Sequence, residues 1–263
     1  MSFREFLGIG GYQRPAEGYM SWQHLTFVTI LMVIMTVSAA LLGRRNKNRC
    51  QKDQNRVLAV AAILINAVEL FKIVVMSINS HDIWYIRNVL PLFLCSIQLI
   101  AIPLAAFTKG RVKEASLDFV VIFGLLGAVL GTYFAGNNYG CYPVISLDNV
   151  ASGITHSISG FASLYILISG MASMRQRNIP ITVAILGAFA VLAYLANLLW
   201  DRNYMFLSRG DGTPYDIFYN LFKGHPVLYP LCVIGLFVLY IALYYQIYYT
   251  VCKVRKKANK VAA

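Results

Sequence analysis

The sequence predicts an all-α polytopic membrane protein, a helical bundle of seven transmembrane helices. Three observations predict this class. The chain of 263 residues is 58% hydrophobic and 13% charged, whereas soluble domains carry about 25% charged residues. Its apolar residues form windows of about 20, the length at which a helix crosses a bilayer. Its 23 Lys and Arg residues exceed its 11 Asp and Glu residues, and most of them lie between alternate windows.

The seven apolar windows follow one another with short connections, and we expect them to form one domain over residues 1–263. No fixed-period repeat is present, and no small-residue cleavage site directly follows the first window, so a cleaved signal peptide is not expected. The fourth window contains small residues that permit close helix packing, Gly124, Gly127 and Gly131. The windows cover residues 22–42, 57–79, 88–108, 118–136, 150–173, 180–200 and 226–251.

The basic residues predict the direction of the chain through the membrane. Short connections rich in Lys and Arg remain in the cytoplasm, so we expect the amino terminus outside and the carboxyl terminus in the cytoplasm. Because the net charge of +12 reports this topology, we expect no nucleic-acid partner. Sixteen basic residues lie in the first, third and fifth connections and the tail: Arg44, Arg45, Lys47, Arg49, Lys52, Arg56, Lys109, Arg111, Lys113, Arg175, Arg177, Lys253, Arg255, Lys256, Lys257 and Lys260.

Polar residues inside the apolar windows are costly in a bilayer and therefore mark candidate functional positions. The second window carries Glu69 and Lys72, which are three residues apart and within pairing reach on one helix face. Helical rise from the predicted outer ends places Cys95, His156 and Lys72 at a depth of about 10 Å, with Asn197 shallower. We therefore expect a polar layer in the outer half of the bilayer.

Cys95 and His156 are a candidate nucleophile and base, because a thiol beside an imidazole becomes a thiolate that attacks acyl carbonyls. Gln98, Asn197 or Asn203 is then a candidate donor of a hydrogen bond to the oxyanion. Residue types alone leave a second interpretation open, in which Cys95 is a small apolar packing residue.

The Glu69–Lys72 pair also has two interpretations. It is either a neutralised ion pair that lets the second span pack in the bundle, or a pair that orients a site residue or a substrate headgroup.

No metal or cofactor site is predicted. The four histidines show no HxxxH or HExxH spacing, and the chain has no CxxC, Walker or GxGxxG motif. We expect His24, His81 and His225 near the outer surface, in solvated or interfacial positions.

Three segments carry a family resemblance: LPLFLCSIQL at 90–99, SGITHSISGF at 152–161 and NYMFL at 203–207. With them the chain resembles the YwaF-like family of bacterial integral membrane proteins. That family is similar to the eukaryotic transmembrane acyltransferase of ether phospholipids, and more remotely to the androgen-induced membrane hydrolases. The resemblance implies a seven-span protein of the bacterial cytoplasmic membrane that performs acyl chemistry on membrane lipids.

Residue by residue, the resemblance assigns the catalytic roles to Cys95 and His156, and the Asn and Tyr of the third motif to Asn203 and Tyr204. We expect these last two residues to bind or orient substrate. Phe93 departs from the pattern, since many YwaF-like members have a His at this position. The acyl donor and acceptor, and the choice between hydrolase and transferase, stay open.

A different function uses the same polar residues. In this alternative the protein is a non-enzymatic transporter or binding protein for a small solute, with Glu69, Lys72, His156 and Asn197 lining its cavity. Transporters often contain inverted repeats and broken helices. The sequence predicts membrane lipids as partners in either case and leaves the oligomeric state open.

Overall fold

The computed structural model describes residues 2–88 and 90–261, without the side chains of Ile83 and of residues 255–261. The described chain is made of helices and connecting turns, with no strand in these ranges. Its α-helices are α1 (Phe3–Phe6), α2 (Trp22–Asn46), α3 (Gln51–Ser80), α4 (Gln98–Phe107), α5 (Gly110–Tyr133), α6 (Gly136–Cys141), α7 (Leu147–Ser169), α8 (Ile179–Trp200), α9 (Asp216–Leu221) and α10 (Leu228–Val261). Short 3-10 segments cover Ile83–Asn88, Gln176–Asn178 and Tyr204–Phe206.

Six helices of the described chain are long and apolar enough to cross a membrane. They overlap six of the seven windows that the hydropathy pattern predicts. The spans are Trp22–Asn46, Gln51–Ser80, Gly110–Cys141, Leu147–Ser169, Gln176–Trp200 and Leu228–Val254.

The third predicted span, residues 88–108, is not a continuous helix, and the prediction of seven spanning helices is not confirmed. Residues 90–97 form turns, and α4 begins only at Gln98. Ten helical residues rise about 15 Å, roughly half of the hydrocarbon thickness. Pro91 lacks a backbone N–H and disfavours the helical conformation of the residue before it, so a helix does not run on from residue 90 into this window. The depth that helical rise assigns to Cys95 therefore does not apply.

The chain divides into two compact units, residues 1–172 and residues 173–263. In the first unit, α5 packs against α4 and α7, and α7 also packs against α2 and α3. Residues 115–124 of α5 are all buried, as expected for a helix surrounded by other helices. The predicted close packing of the fourth window is present at Gly124, where a Cβ atom would lie 2.7 Å from the Ser159 carbonyl oxygen.

One end of the first unit is defined by hydrogen bonds between helix termini. Gln54 Nε2 donates to the carbonyls of Asn46 at the end of α2 and Ser169 at the end of α7, both at 3.0 Å. Asn55 Nδ2 donates to the Ala106 carbonyl near the end of α4 at 2.7 Å. We call this end, with the α2–α3 turn and the start of α5, the basic end.

His24 lies near the opposite end of the first unit, and the structure corrects its predicted exposure, since the side chain is fully buried. Its Nδ1 atom accepts a hydrogen bond from the Met20 N–H at 3.2 Å, so Nε2 carries the proton and donates to the Thr132 carbonyl at 3.0 Å. The imidazole packs on the Tyr139 ring with 3.9 Å between ring centroids. His24 therefore joins α2 to α5.

The second unit consists of α8, a structured connection, α9 and α10. Tyr194 of α8 donates a hydrogen bond to the Pro226 carbonyl at 2.7 Å, and Tyr229 of α10 donates to the Phe206 carbonyl at 2.7 Å. At the other end of α10, the Tyr249 hydroxyl donates to the Met174 carbonyl. These tyrosines attach the connections of this unit to its spanning helices.

Candidate active site

Cys95 and His156 lie against the same face of α5. A Cβ atom added at Gly127 would lie 3.4 Å from the Cβ atom of Cys95, and one added at Gly131 would lie 2.0 Å from Nε2 of His156. Residues four apart in a helix are neighbours on one face, so the two glycines place the thiol and the imidazole side by side. The space at Gly131 exists only because this residue has no side chain.

The hydrogen bonds of His156 define which ring nitrogen carries the proton. Nδ1 lies 2.8 Å from the Ser152 carbonyl oxygen, and a carbonyl can only accept, so Nδ1 is the donor. In the neutral ring Nε2 then has a free lone pair. Nε2 is buried and has no hydrogen bond of standard geometry among the described residues, so it is able to accept a proton from a nearby group.

The Cys95 thiol is the neighbour of this imidazole. The two side chains interact with each other, although the contact falls short of standard hydrogen-bond geometry at Nε2. Cys95 lies in the turn before α4, and its carbonyl accepts the backbone N–H of Gln98 at 3.2 Å. The turn that interrupts the third predicted span therefore presents the thiol to α5 and α7.

Gln98, the first residue of α4, lies one turn beyond Cys95. Its side chain is fully buried, and neither Oε1 nor Nε2 has a hydrogen-bond partner in the described part of the chain. Buried polar groups are normally paired, because leaving a donor or acceptor unsatisfied costs about 1–3 kcal/mol. A buried amide kept in this state one helical turn along the chain from Cys95 has donor capacity free for a ligand.

Lys72 and Glu69 form the predicted ion pair within α3. Nζ and Oε1 are 2.8 Å apart, and the two side chains are 12% and 13% exposed. Lys72 lies about 12 Å from the end of α3, and His156 about 13 Å from the start of α7 at the same end of the unit. The two residues therefore lie at a similar depth, and Lys72 is within electrostatic range of the imidazole.

The sequence interpretation missed Asp148, which lies in the first turn of α7. Its carboxylate interacts with both Lys72 and Glu69. The predicted fifth window begins at residue 150 and so leaves this acid outside the membrane. An available signal was the position of Asp148 two helical turns before His156, which indicates a shared side of α7.

Asn197, Asn203 and Tyr204 lie in the second unit, where they build the connection after α8. Asn197 Oδ1 accepts the Tyr204 N–H at 2.6 Å, and Asn197 Nδ2 donates to the Tyr204 carbonyl at 3.1 Å. Tyr204 is itself almost fully buried. The side-chain amide of Asn197 thus bonds both backbone groups of Tyr204. These two hydrogen bonds hold the NYMFL segment against α8.

Asn203 uses its whole side chain within the same connection. Nδ2 donates to the Arg209 carbonyl and to Asp211 Oδ2, both at 2.7 Å, and Oδ1 accepts the N–H groups of Ser208 and Arg209. These bonds enclose Met205 and Phe206, which have left-handed φ values of 55° and 56°. Such conformations cost about 1–2 kcal/mol per residue, and the surrounding bonds offset this strain.

The described residues contain no group of three or more His, Cys, Asp and Glu side chains arranged to hold a metal ion. All five cysteines are free thiols.

The fold and the site together define an integral membrane helical protein whose first unit places a thiol beside an imidazole and buries an unpaired amide one turn along the chain from the thiol. The model of the TMEM164 family, a membrane protein family, matches residues 19–251. Because this match covers most of the sequence, the chain belongs to the TMEM164 family. No curated protein and no solved structure matches the chain.

Proposed function

We propose that this protein is a membrane-embedded lipid acyltransferase or acyl-ester hydrolase, with Cys95 as the nucleophile and His156 as the general base. The observation that supports it best is the meeting of these two side chains beside Gly127 and Gly131, with His156 Nε2 free to accept a proton. The resemblance to the YwaF-like proteins and to lipid acyltransferases implies the same pair of residues.

In the first step His156 Nε2 takes the thiol proton, and Sγ of Cys95 attacks the carbonyl carbon of a lipid ester. The carbonyl oxygen becomes an oxyanion, to which Gln98 Nε2 donates a hydrogen bond. When the oxyanion collapses, the bond to the lipid alkoxide breaks, and the alkoxide receives the proton from the imidazolium. The products are a lipid alcohol and a thioester on Cys95.

In the second step an acceptor hydroxyl attacks the thioester carbonyl. His156 takes the proton of the acceptor and returns it to the departing thiolate, so the free thiol is restored. With a lipid alcohol as acceptor the reaction is acyl transfer, and with water it is hydrolysis. Lys72, held by Glu69 at the same depth as the imidazole, orients the substrate.

Asn197, Asn203 and Tyr204 contribute to this function by shaping the connection after α8. Both carboxamides are committed to hydrogen bonds within the connection, so Gln98 is the better oxyanion donor of the three amides that the sequence nominates. An orienting role through the loop conformation fits the strained backbone at Met205.

The small-solute transporter or binding protein remains the second candidate function. The observation that favours it is the interrupted third window, since discontinuous helices at membrane depth are typical of transporter binding sites. In this alternative Glu69, Lys72 and His156 line a solute cavity, and the Cys95 thiol has no chemical role.

The experiment that tests the proposal measures release or transfer of a fluorescent acyl chain from a phospholipid by the purified protein in nanodiscs. Cys95→Ala is expected to abolish activity, and His156→Ala to lower it by a factor of about 10² to 10⁴. Cys232→Ala in α10 is the matched control and is expected to retain activity. Equal losses in all three variants, or no loss in any, would overturn the assignment.

A thiol-reactive alkyl maleimide distinguishes the two candidate functions. For the enzyme, labelling of Cys95 is slowed by the phospholipid substrate and stops the acyl reaction. For the transporter, solute uptake into proteoliposomes persists in the Cys95→Ala variant.

A further inference from the structure

The basic end of the first unit presents a cluster of exposed cations on and beside the α2–α3 turn. We propose that this cluster binds the headgroups of anionic phospholipids. The proposal does not depend on chemistry at Cys95. The cluster consists of Arg44, Arg45, Lys47, Arg49 and Lys52, all with exposed side chains.

These five side chains have no ion-pair partner in the described part of the chain. The one acid of the turn region, Asp53, pairs with Arg56 at 3.3 Å. Two arginines away from this end do have partners. Arg14 forms a salt bridge with Glu17 at 3.4 Å, and the guanidinium of Arg87 lies 4.6 Å from the centre of the Trp84 ring. The cluster is therefore a surface of uncompensated positive charge.

The turn that carries the cluster is held in a defined conformation. Gln54 Nε2 donates to the Asn46 and Ser169 carbonyls at 3.0 Å, and its backbone carbonyl accepts the Tyr165 hydroxyl at 2.9 Å. The Arg49 N–H also donates to the Asn46 carbonyl at 3.0 Å. Binding to a preorganised backbone loses less conformational entropy than binding to a mobile loop.

The position of the turn matches the position of lipid phosphates. It joins two membrane-spanning helices, α2 and α3, so it lies where the hydrocarbon region ends. Asn55 joins the end of α4 and Lys113 of α5 to this end, and Lys109 is exposed at the start of α5, so further cations extend the same surface. Guanidinium groups bind phosphate through paired hydrogen bonds and ammonium groups bind it as point charges. An anionic phospholipid surface supplies many phosphate groups of the sign that this cluster requires.

The test uses the full-length protein in detergent and measures thermal stabilisation while phosphatidylglycerol or phosphatidylcholine is added. Phosphatidylglycerol is expected to stabilise the protein and phosphatidylcholine is not. A variant with Arg44, Arg45, Lys47, Arg49 and Lys52 replaced by Gln is expected to need at least about tenfold more phosphatidylglycerol, since each basic residue near an anionic surface contributes about a fivefold gain in affinity.

Two control variants test whether the positive charge of this cluster causes the stabilisation by phosphatidylglycerol. Replacement of Arg44, Arg45 and Arg49 by Lys keeps the charge and is expected to retain most of the effect, and Arg4→Gln at the opposite end leaves it unchanged. Should the five-residue variant fail to fold, the native protein must lose its phosphatidylglycerol response in 0.5 M salt, because the Debye length there is only about 4 Å and the attraction between exposed charges is screened.

The proposal is overturned if the five-residue variant binds phosphatidylglycerol as tightly as the native protein, or if the native response is insensitive to salt. It is also overturned if inorganic phosphate gives the same stabilisation at the same concentration, because the surface then recognises a free anion and not a lipid.

Discussion

Gln98 in the first unit and Asn203 in the second carry the same carboxamide group but use it in opposite ways. Asn203 makes four hydrogen bonds within its own connection, and Gln98 makes none in the described chain although it is fully buried. A saturated amide contributes to stability, whereas an unsatisfied buried amide costs free energy. The difference separates residues that build the protein from residues that are free for a ligand.

The same contrast holds for two histidines of the first unit. His24 uses both ring nitrogens, whereas His156 uses Nδ1 and leaves Nε2 without a standard hydrogen bond. Full pairing at His24 joins α2 to α5, and partial pairing at His156 leaves one nitrogen for chemistry. Among the described residues, the buried side-chain atoms without a hydrogen-bond partner include Nε2 of His156 and both amide atoms of Gln98, and others lie on Arg14, Ser116, Asn149 and Ser159.

Among tests of this comparison, the largest expected effect comes from Gln98→Leu, which removes the unsatisfied amide and keeps an apolar group of similar size. Loss of an oxyanion donor lowers kcat by a factor of about 10² to 10³, while thermal stability is unchanged or raised because no buried polar group is left unpaired. Both quantities are measured on the same purified variant. Parallel loss of activity and stability would place Gln98 with Asn203, as a structural residue.

Gly131→Ala probes the space that His156 occupies. A Cβ atom at this position would lie 2.0 Å from Nε2, so the imidazole must move, and displacement by about 1 Å can cost a factor of 10² in rate. We expect acyl transfer or hydrolysis to fall by about 10².

The matched control for Gly131 is Gly187→Ala in α8, where a Cβ atom meets nothing within 4 Å. This variant is expected to be as active and at least as stable as the native protein. Unchanged activity in Gly131→Ala would show that the position of the ring does not matter for function.

Asn203→Ala tests the amide whose hydrogen bonds are all made within its own connection. Removing both amide atoms leaves the Ser208 and Arg209 N–H groups without this acceptor, and we expect the free energy of unfolding of the second unit to fall by about 2 kcal/mol. The measurement is thermal unfolding in detergent. Asn220→Ala is the control, because this exposed side chain makes no hydrogen bond in the described chain, and an equal loss there would contradict the role of the Asn203 bonds.

The smallest effect concerns the tyrosines around Asp148. Burial, reinforced by the Asp148 carboxylate, raises the pKa of Tyr85 from 10.0 to about 12, and burial also raises the pKa of Tyr12 and of Tyr142. A pKa that is higher in the folded state contributes stability that is complete below pH 10 and is lost as pH rises to about 12.

We therefore expect thermal stability to decline between pH 10 and pH 12, and Tyr85→Phe to make this decline shallower. Melting curves of the two proteins across this pH range provide the measurement. The same steepness in both proteins would exclude Tyr85 as a source of the pH dependence.

Much of the architecture follows from local sequence patterns. Seven apolar windows predict seven spanning helices, because the cost of exposing backbone polar groups to lipid leaves a continuous helix as the stable form, and six of the seven overlap long apolar helices of the described chain. The Glu69–Lys72 ion pair follows from a spacing of three residues in a helix. The motif around NYMFL, in contrast, predicts a role for Asn203 without indicating that its amide is fully used within the connection.

Sequence by itself determined the membrane class and located six of its seven predicted spans correctly, and it nominated the residue types for the proposed acyl chemistry, since these depend on hydropathy, on helical spacing and on side-chain reactivity. Tertiary structure alone decided that residues 90–97 form turns which carry Cys95 to Gly127 on α5, and that the ring of His156 occupies the space beside Gly131. It also decided that Asp148 lies near Lys72. The physical reason is that such contacts depend on the rotation and packing of helices far apart in the chain, which a local pattern does not encode.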